Sequence, residues 1–173
     1  MWSIRAALVA LVCVLIAGTA YAEAVSAPAW KFSATFPCQS QISTQTVDTA
    51  AGKIAVTQYV CDADDGNAAF IVAINDYPSG SVTEANVNSV YSGGVNGFAE
   101  GVKGTIRNST DFALGSITGR ETIIDIGEPK GAARVRAFLV GDRLYQVVAI
   151  GVPGTENSKA ALDFLDSFNL TTP

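Results

Sequence analysis

An α+β domain, an antiparallel β-sheet with helices packed on it, is what three features of this sequence predict. Strand-like runs come in two groups of four. Each group is followed by one segment of helical periodicity. Short breaks rich in glycine, proline or aspartate separate the strands, as hairpins require. Runs of strands between single helices argue against the strict alternation that builds a parallel sheet.

The elements are read in chain order. Residues 1–22, MWSIRAALVALVCVLIAGTAYA, carry Arg5, an apolar run from Ala6 to Ala17 and the triplet Ala20-Tyr21-Ala22. That is the pattern of a secretory signal peptide cut after Ala22. Gly18-Thr19 ends the run short of the ~20 residues of a membrane-spanning helix, so no transmembrane span is expected after cleavage. Val12 stands before Cys13 where a lipoprotein signal has a small residue, so Cys13 is not read as a lipidation site. Residues 23–29 read as a mobile lead, and 30–173 as a single α+β domain.

In that domain Trp30, Phe32, Ala34 and Phe36 alternate with polar residues, the period of a half-buried strand, which Pro37 ends. Gln41 to Asp48 and Lys53 to Val60 are rich in β-branched residues around Ala50-Ala51-Gly52 and read as a hairpin. AAFIVAI, Ala68 to Ile74, is apolar enough for a central strand covered on both faces. Val87, Val90, Tyr91, Val95, Phe98 and Val102 then recur at helical spacing, with Ser81 or Thr83 as cap. Four glycines weaken this helix, each by ~1 kcal/mol relative to alanine. Strands follow at Thr105 to Ala113 and Ser116 to Ile126, ended by Gly127-Glu128-Pro129. FLVGDRLYQVVAIG lies in a further hairpin from Ala132 to Gly151. Gly141-Asp142 suits a type II′ turn, which sets Phe138 opposite Tyr145, Leu139 opposite Leu144 and Val135 opposite Val148. After Pro153-Gly154, Thr155 reads as N-cap of a last helix with Ala161, Phe164, Leu165 and Phe168 on its apolar stripe.

FSATFPC, YVCDA, FLVGDRLYQVVAIG and the closing FLDSFNL look like those of small exported bacterial domains of unknown role, which resemble the PsbP-like α/β sandwich superfamily. The resemblance spans most of residues 30 to 171 and rests on structural punctuation. It implies an antiparallel sheet sandwiched by helices, in proteins that act mainly by binding or assembly. Its named members include an extrinsic subunit of the photosynthetic oxygen-evolving complex and a small Ran-binding import factor. It implies no active-site residues.

The full chain has 173 residues, a net charge of −5 and no histidine. An acidic chain without a basic run is a poor partner for nucleic acid. Absent histidine removes the commonest general base and metal ligand. Cys38 and Cys61, the two cysteines beyond the signal, are expected to form a disulfide in an oxidising compartment. The hairpin count supports this. With Asp48 opposite Lys53, Ser40 falls opposite Cys61 and Cys38 lies two residues on. No serine-hydrolase elbow, S-x-x-K pair, Walker loop or G-x-G-x-x-G occurs. No cofactor is expected.

Three clusters have the composition of sites. Asp62, Asp64 and Asp65 in CDADDGN offer oxygen ligands for a metal, against the plainer reading of an acidic turn; an EF-hand loop from Asp62 would place Ala73 where glutamate belongs. SGGVNG, Ser92 to Gly97, reads as close helix packing and not as a phosphate cradle, because it lies inside a helical pattern. Arg134, Arg136, Arg120 and Tyr145 form a candidate anion-binding patch, against strand charges that meet Glu121, Asp125 or Glu128. Asn108-Ser109-Thr110 and Asn169-Leu170-Thr171 match the glycosylation acceptor pattern, which matters only in a eukaryotic secretory pathway.

The function expected is an exported, periplasmic or extracellular, non-enzymatic binding or assembly module whose partner is a protein or small molecule of the envelope. The alternative is a hydrolase or lyase using paired carboxylates in a cleft between sheet and helix. Converging carboxylates in such a cleft would favour the enzyme; a shallow apolar or arginine-rimmed groove would favour the binder.

Overall fold

The computed structural model describes residues 21–49, 52–127 and 130–171. Residues 1–20 of the expected signal peptide, Ala50 and Ala51 of the expected hairpin turn, Glu128 and Pro129, and residues 172–173 lie outside the described residues. The rest forms β1 (Glu23–Ala27), β2 (Phe32–Phe36), β3 (Gln41–Thr49), β4 (Gly52–Ala63), β5 (Ala68–Asp76), α1 (Val87–Gly101), β6 (Gly104–Leu114), β7 (Ile117–Ile126), β8 (Gly131–Val140), β9 (Arg143–Gly151), α2 (Lys159–Ser167) and β10 (Asn169–Leu170). Seven strands make one sheet in the order β3-β4-β5-β9-β8-β7-β6, and three make a second, β1-β2-β10. Every pairing is antiparallel.

Both hairpins take the expected register. Asp48 lies opposite Lys53 and Gln41 opposite Val60. Phe138 lies opposite Tyr145, Leu139 opposite Leu144, and Val135 opposite Val148. Gly141 has φ +59, the positive φ that a type II′ turn demands at its first central position. Successive side chains on a strand leave opposite faces, so β5, β8 and β9 supply two cores. On one face Phe70, Val72, Ile74, Phe138, Tyr145 and Val147 pack with Phe32, Phe36, Phe164 and Phe168 from β2 and the α2 segment. On the other, Ile124, Ala133, Val135 and Val148 pack with Val95 and Ala99 of α1, beside Tyr91, Ala137 and Leu144. β5 is thus a central strand between β4 and β9, as its apolar run implied.

Four local readings are corrected. Residues 23–29, read as a mobile lead, are a strand and the start of a 3₁₀ turn. Glu23 to Ala27 pairs along the length of β2, and the Glu23 carboxylate accepts from the Ser40 amide and hydroxyl at 2.6 and 2.7 Å. Trp30 sits in that 3₁₀ turn, so the strand begins at Phe32. The last helix is capped by Ser158, whose hydroxyl accepts from the Ala161 amide at 3.2 Å; Thr155 opens a separate 3₁₀ turn, and Phe168 stands just past the helix end. Neither Ser81 nor Thr83 caps α1 through its side chain. Asn86 stands at that position, its Oδ1 accepting from Thr83 N at 2.7 Å and its Nδ2 donating to Ser81 O at 2.7 Å.

The turn residue Asp142 also does more than reverse the chain. Its carboxylate accepts from the amides of Gly80 at 2.7 Å and Val82 at 2.9 Å, and its carbonyl accepts from Tyr77 N at 2.9 Å. The loop leading to α1 is therefore fastened to the β8–β9 turn. Those amide bonds, Gly80's first, hold the Asp142 carboxyl below the usual carboxylate range. A depressed folded value means that the fastening is complete above the ordinary carboxylate pKa of about 3.9 and is lost as pH falls through the folded one. Hydrogen exchange at Gly80 and Val82 should be equally protected, after correction for intrinsic rates, at pH 7 and pH 5, and lose protection below about pH 4. In Asp142→Asn this acid-dependent loss should disappear. Protection that persists in acid would show that other contacts hold the loop.

Candidate ligand-binding cleft

The residues singled out in the sequence do not converge. Arg134 and Arg136 share a face of β8 with Phe138, and Glu121 on β7, directly opposite Arg136, takes both. Arg134 Nη1 lies 2.5 Å from Glu121 Oε1, and Arg136 Nε lies 2.7 Å from Glu121 Oε2. Arg136 also reaches Asp166 of α2 at 2.7 Å and covers the Phe112 ring at 4.2 Å. Arg134 donates to Glu156 O and Asn157 Oδ1. Both guanidinium groups thus already hold protein carboxylates. Asp125, another expected partner, instead pairs with Arg107 on β6. Arg120 is on the opposite face, where it donates to Asn88 Oδ1 at 2.7 Å and covers the Tyr91 ring. Tyr145 donates to Trp30 O at 2.8 Å. Four residues grouped by sequence serve three separate structural contacts.

The Glu121 junction predicts a stability effect. Glu121→Gln keeps the shape but withdraws the charge that two largely buried guanidinium groups share. It should cost about 2 kcal/mol in urea melts, while Arg120→Gln costs far less. A loss no larger than that of Arg120→Gln would show the junction to be dispensable.

Asp62 is the second-last residue of β4, while Asp64 and Asp65 occupy a 3₁₀ turn with φ +52 and +53. Among the described residues no three acidic or cysteine side chains are grouped to hold a metal ion. The acidic run makes the sharp turn between β4 and β5. Cys38 and Cys61 are bonded, with α-carbons 5.6 Å apart.

What the sequence reading did not find is a cleft. α1 lies over the β6–β9 half of the large sheet, and among the described residues no helix lies over the same face of β3, β4 and β5. The space between is about 730 Å³, within the roughly 300–1,000 Å³ of small-molecule sites. Ile54 and Val56 of β4, Ile71 of β5 and Val148 of β9 line one side; Val90 and Phe98 of α1 and Val102 just past its end line the other, with Tyr77 also in the lining. Polar groups in the lining are uncharged: Gln45, Gln58, Asn75, Asn86, Gln146 and the Thr49 and Ser89 hydroxyls among them.

The glycines of α1 belong to this feature. A β-carbon on Gly94 would come within 2.5 Å of Leu144 Cδ2, so close helix–sheet contact explains that glycine, as the SGGVNG reading proposed. It does not explain Gly93, Gly97 or Gly101. These lie one turn apart, line the cleft, and have nothing within 4 Å of where a β-carbon would stand. Each weakens the helix by roughly 1 kcal/mol relative to alanine, with no packing constraint in return. Their effect is to keep the helix wall of the cleft bare.

Two amides meet on the cleft side of the sheet. Gln146 Nε2 donates to Gly94 O at 2.9 Å, tying β9 to α1. Asn75 Nδ2 donates to Leu144 O and to Gln146 Oε1, both at 3.2 Å. Because a backbone carbonyl only accepts, these contacts fix which end of each amide is nitrogen. Nothing in this lining titrates near neutral pH. Burial pushes the Tyr77 phenol up, as it does those of Tyr59, Tyr91 and Tyr145, so these phenols stay protonated.

No family model matches this chain, and no curated protein matches it. Among solved structures it is similar to the solution structure of cyanobacterial PsbP (CyanoP) from Synechocystis sp. PCC 6803. The TM-score is 0.56 over 89% of this chain and 95% of that one, at 12% sequence identity. The likeness is one of fold: this chain has a PsbP-like architecture, as the resemblance of its punctuating motifs implied. None of the described helices is long and apolar enough to cross a membrane.

Proposed function

We propose that this protein is an exported, non-enzymatic binding module and that the cleft between α1 and strands β3–β5 is where it holds its ligand. The observation that carries this reading is the lining, which among the described residues contains no aspartate, glutamate, lysine, arginine or cysteine. A hydrolase or lyase working through paired carboxylates needs two of them to converge on a substrate, and this cleft supplies neither. An uncharged concave surface with a few fixed polar groups is instead the composition of a small-molecule site. The PsbP-like layering of helices about an antiparallel sheet, read as the α/β sandwich of that superfamily, agrees with an accessory role. The N-terminal segment and the disulfide favour the periplasm or the exterior, where such bonds persist. The partner is then a molecule of the envelope and not nucleic acid.

Native mass spectrometry of the protein recovered from its own envelope tests the reading. We expect a bound small molecule on the wild type and none on Gly97→Leu, whose side chain would occupy the cleft. Reproducible turnover of an ester, peptide, phosphate or glycoside substrate, abolished by one carboxylate substitution, would establish the enzyme instead.

A further inference from the structure

We infer that the cleft selects an uncharged, largely apolar molecule carrying a hydrogen-bond donor, a hydroxyl or an N–H, which it sets on Asn75 Oδ1 while the apolar body lies along the glycine face of α1. This rests on the binding-module reading above. The anchor follows from hydrogen-bond accounting. Asn75 is 8% exposed, and its Nδ2 is committed to Leu144 O and Gln146 Oε1. Its Oδ1 accepts nothing from the described residues. Among them, Ser81 Oγ is the one fully occluded side-chain polar atom that lacks a partner. Asn75 Oδ1 therefore reaches open space, and the open space that Asn75 borders is the cleft.

An acceptor without a protein partner at the bottom of an apolar cleft is satisfied by water until a ligand excludes it. A ligand with a donor replaces that water, whereas one without a donor leaves a buried acceptor unpaired, which costs far more than a hydrogen bond contributes. The same lining disfavours ions, because the described residues offer no counter-charge and a ligand that fills the cleft displaces water from any charged group it carries. The glycine face sets the shape. Gly93, Gly97 and Gly101 leave one side of α1 without side chains over two turns, facing Ile54, Val56 and Ile71 across the gap. Such a slot suits a flat or extended apolar body.

The test uses one scaffold in three forms on the exported protein, read by fluorescence titration. N-phenylnaphthylamine is neutral, apolar and carries one N–H. Its N-methyl derivative lacks the donor, and anilinonaphthalene sulfonate keeps the donor but adds an anion. We expect the neutral N–H probe to bind, and the other two to bind at least about tenfold more weakly. Gly97→Leu should lose the neutral probe. Asn75→Ala should bring the N–H and N-methyl affinities together, a ratio taken within one protein and so insensitive to its stability. Equal affinities for all three probes, each lost in Gly97→Leu, would overturn the ligand class and leave the cleft as the binding site. Probe binding that survives Gly97→Leu, or no binding by the neutral probe, would overturn the ligand assignment together with the site. An N–H preference that persists in Asn75→Ala would remove Asn75 as the anchor.

Discussion

Phe168→Ala is expected to cost about 3–5 kcal/mol, the range for emptying a large aromatic site in a core. Phe168 is 2% exposed and stands just past the end of α2, yet it joins three elements. Its ring stacks on Phe138 of β8 at 5.6 Å and on Phe32 of β2 at 5.8 Å, and meets Tyr145 of β9 at 6.0 Å. Truncation removes the large sheet's contact with β2 at that point, and neighbouring rings on three different strands cannot collapse together into the space. Phe164 should behave alike, being wedged between Phe36 at 4.9 Å and Phe70 at 5.5 Å. Asp163→Ala is the control. Its partner is the exposed Lys159 one turn earlier, so the melt should barely move. Equal losses in urea melts for Phe168→Ala and Asp163→Ala would mean that this face of the α2 segment is not core.

Such residues were legible in the sequence because their signal is local. Phe164 and Phe168 stood out by spacing along one segment, and Phe138 and Tyr145 by their distance from Gly141-Asp142, whose turn geometry sets the register of everything beyond it. Elements with short or weak patterns were missed. β10 is two residues long, and β1, EAVSA, offers little alternation to distinguish a strand from a lead. Its order comes from pairing with β2, which no local property announces.

The cleft was illegible for a related reason. It exists because α1 covers only half of a seven-stranded sheet, and strand order is set by which distant segments pair. β5 lies beside β9, seventy residues away in places, so Asn75 and Gln146 meet through topology alone. One trace was present. Four glycines in a single helix were counted as weakness, and only the structure separates Gly94, which packs, from the three that do not. The arginine patch failed in the opposite direction. Alternation correctly put Arg134 and Arg136 on the Phe138 face, but cross-strand register then delivered Glu121 between them and sent Arg120 to the other side.

Loss of the Cys38–Cys61 bridge should cost roughly 3 kcal/mol, because the bond closes a chain segment of 23 residues and so restricts the unfolded ensemble. For a chain of this size that corresponds to a melting temperature lower by about 6–12 °C. The position of the bond separates this effect from binding. Cys61 is fully buried against Tyr59, Phe70 and their neighbours on the α2 side of the sheet. Ile54, Val56 and Gln58, which line the cleft, leave β4 by its opposite face. Reduction, or paired replacement of both cysteines by alanine, should therefore lower stability and leave the neutral probe's affinity unchanged at temperatures where the protein stays folded. A parallel loss of affinity would mean that the β3–β4 hairpin depends on the bridge for its position, so that the staple shapes the cleft wall. Two titratable thiols in the denatured, unreduced, exported protein would remove the bridge itself.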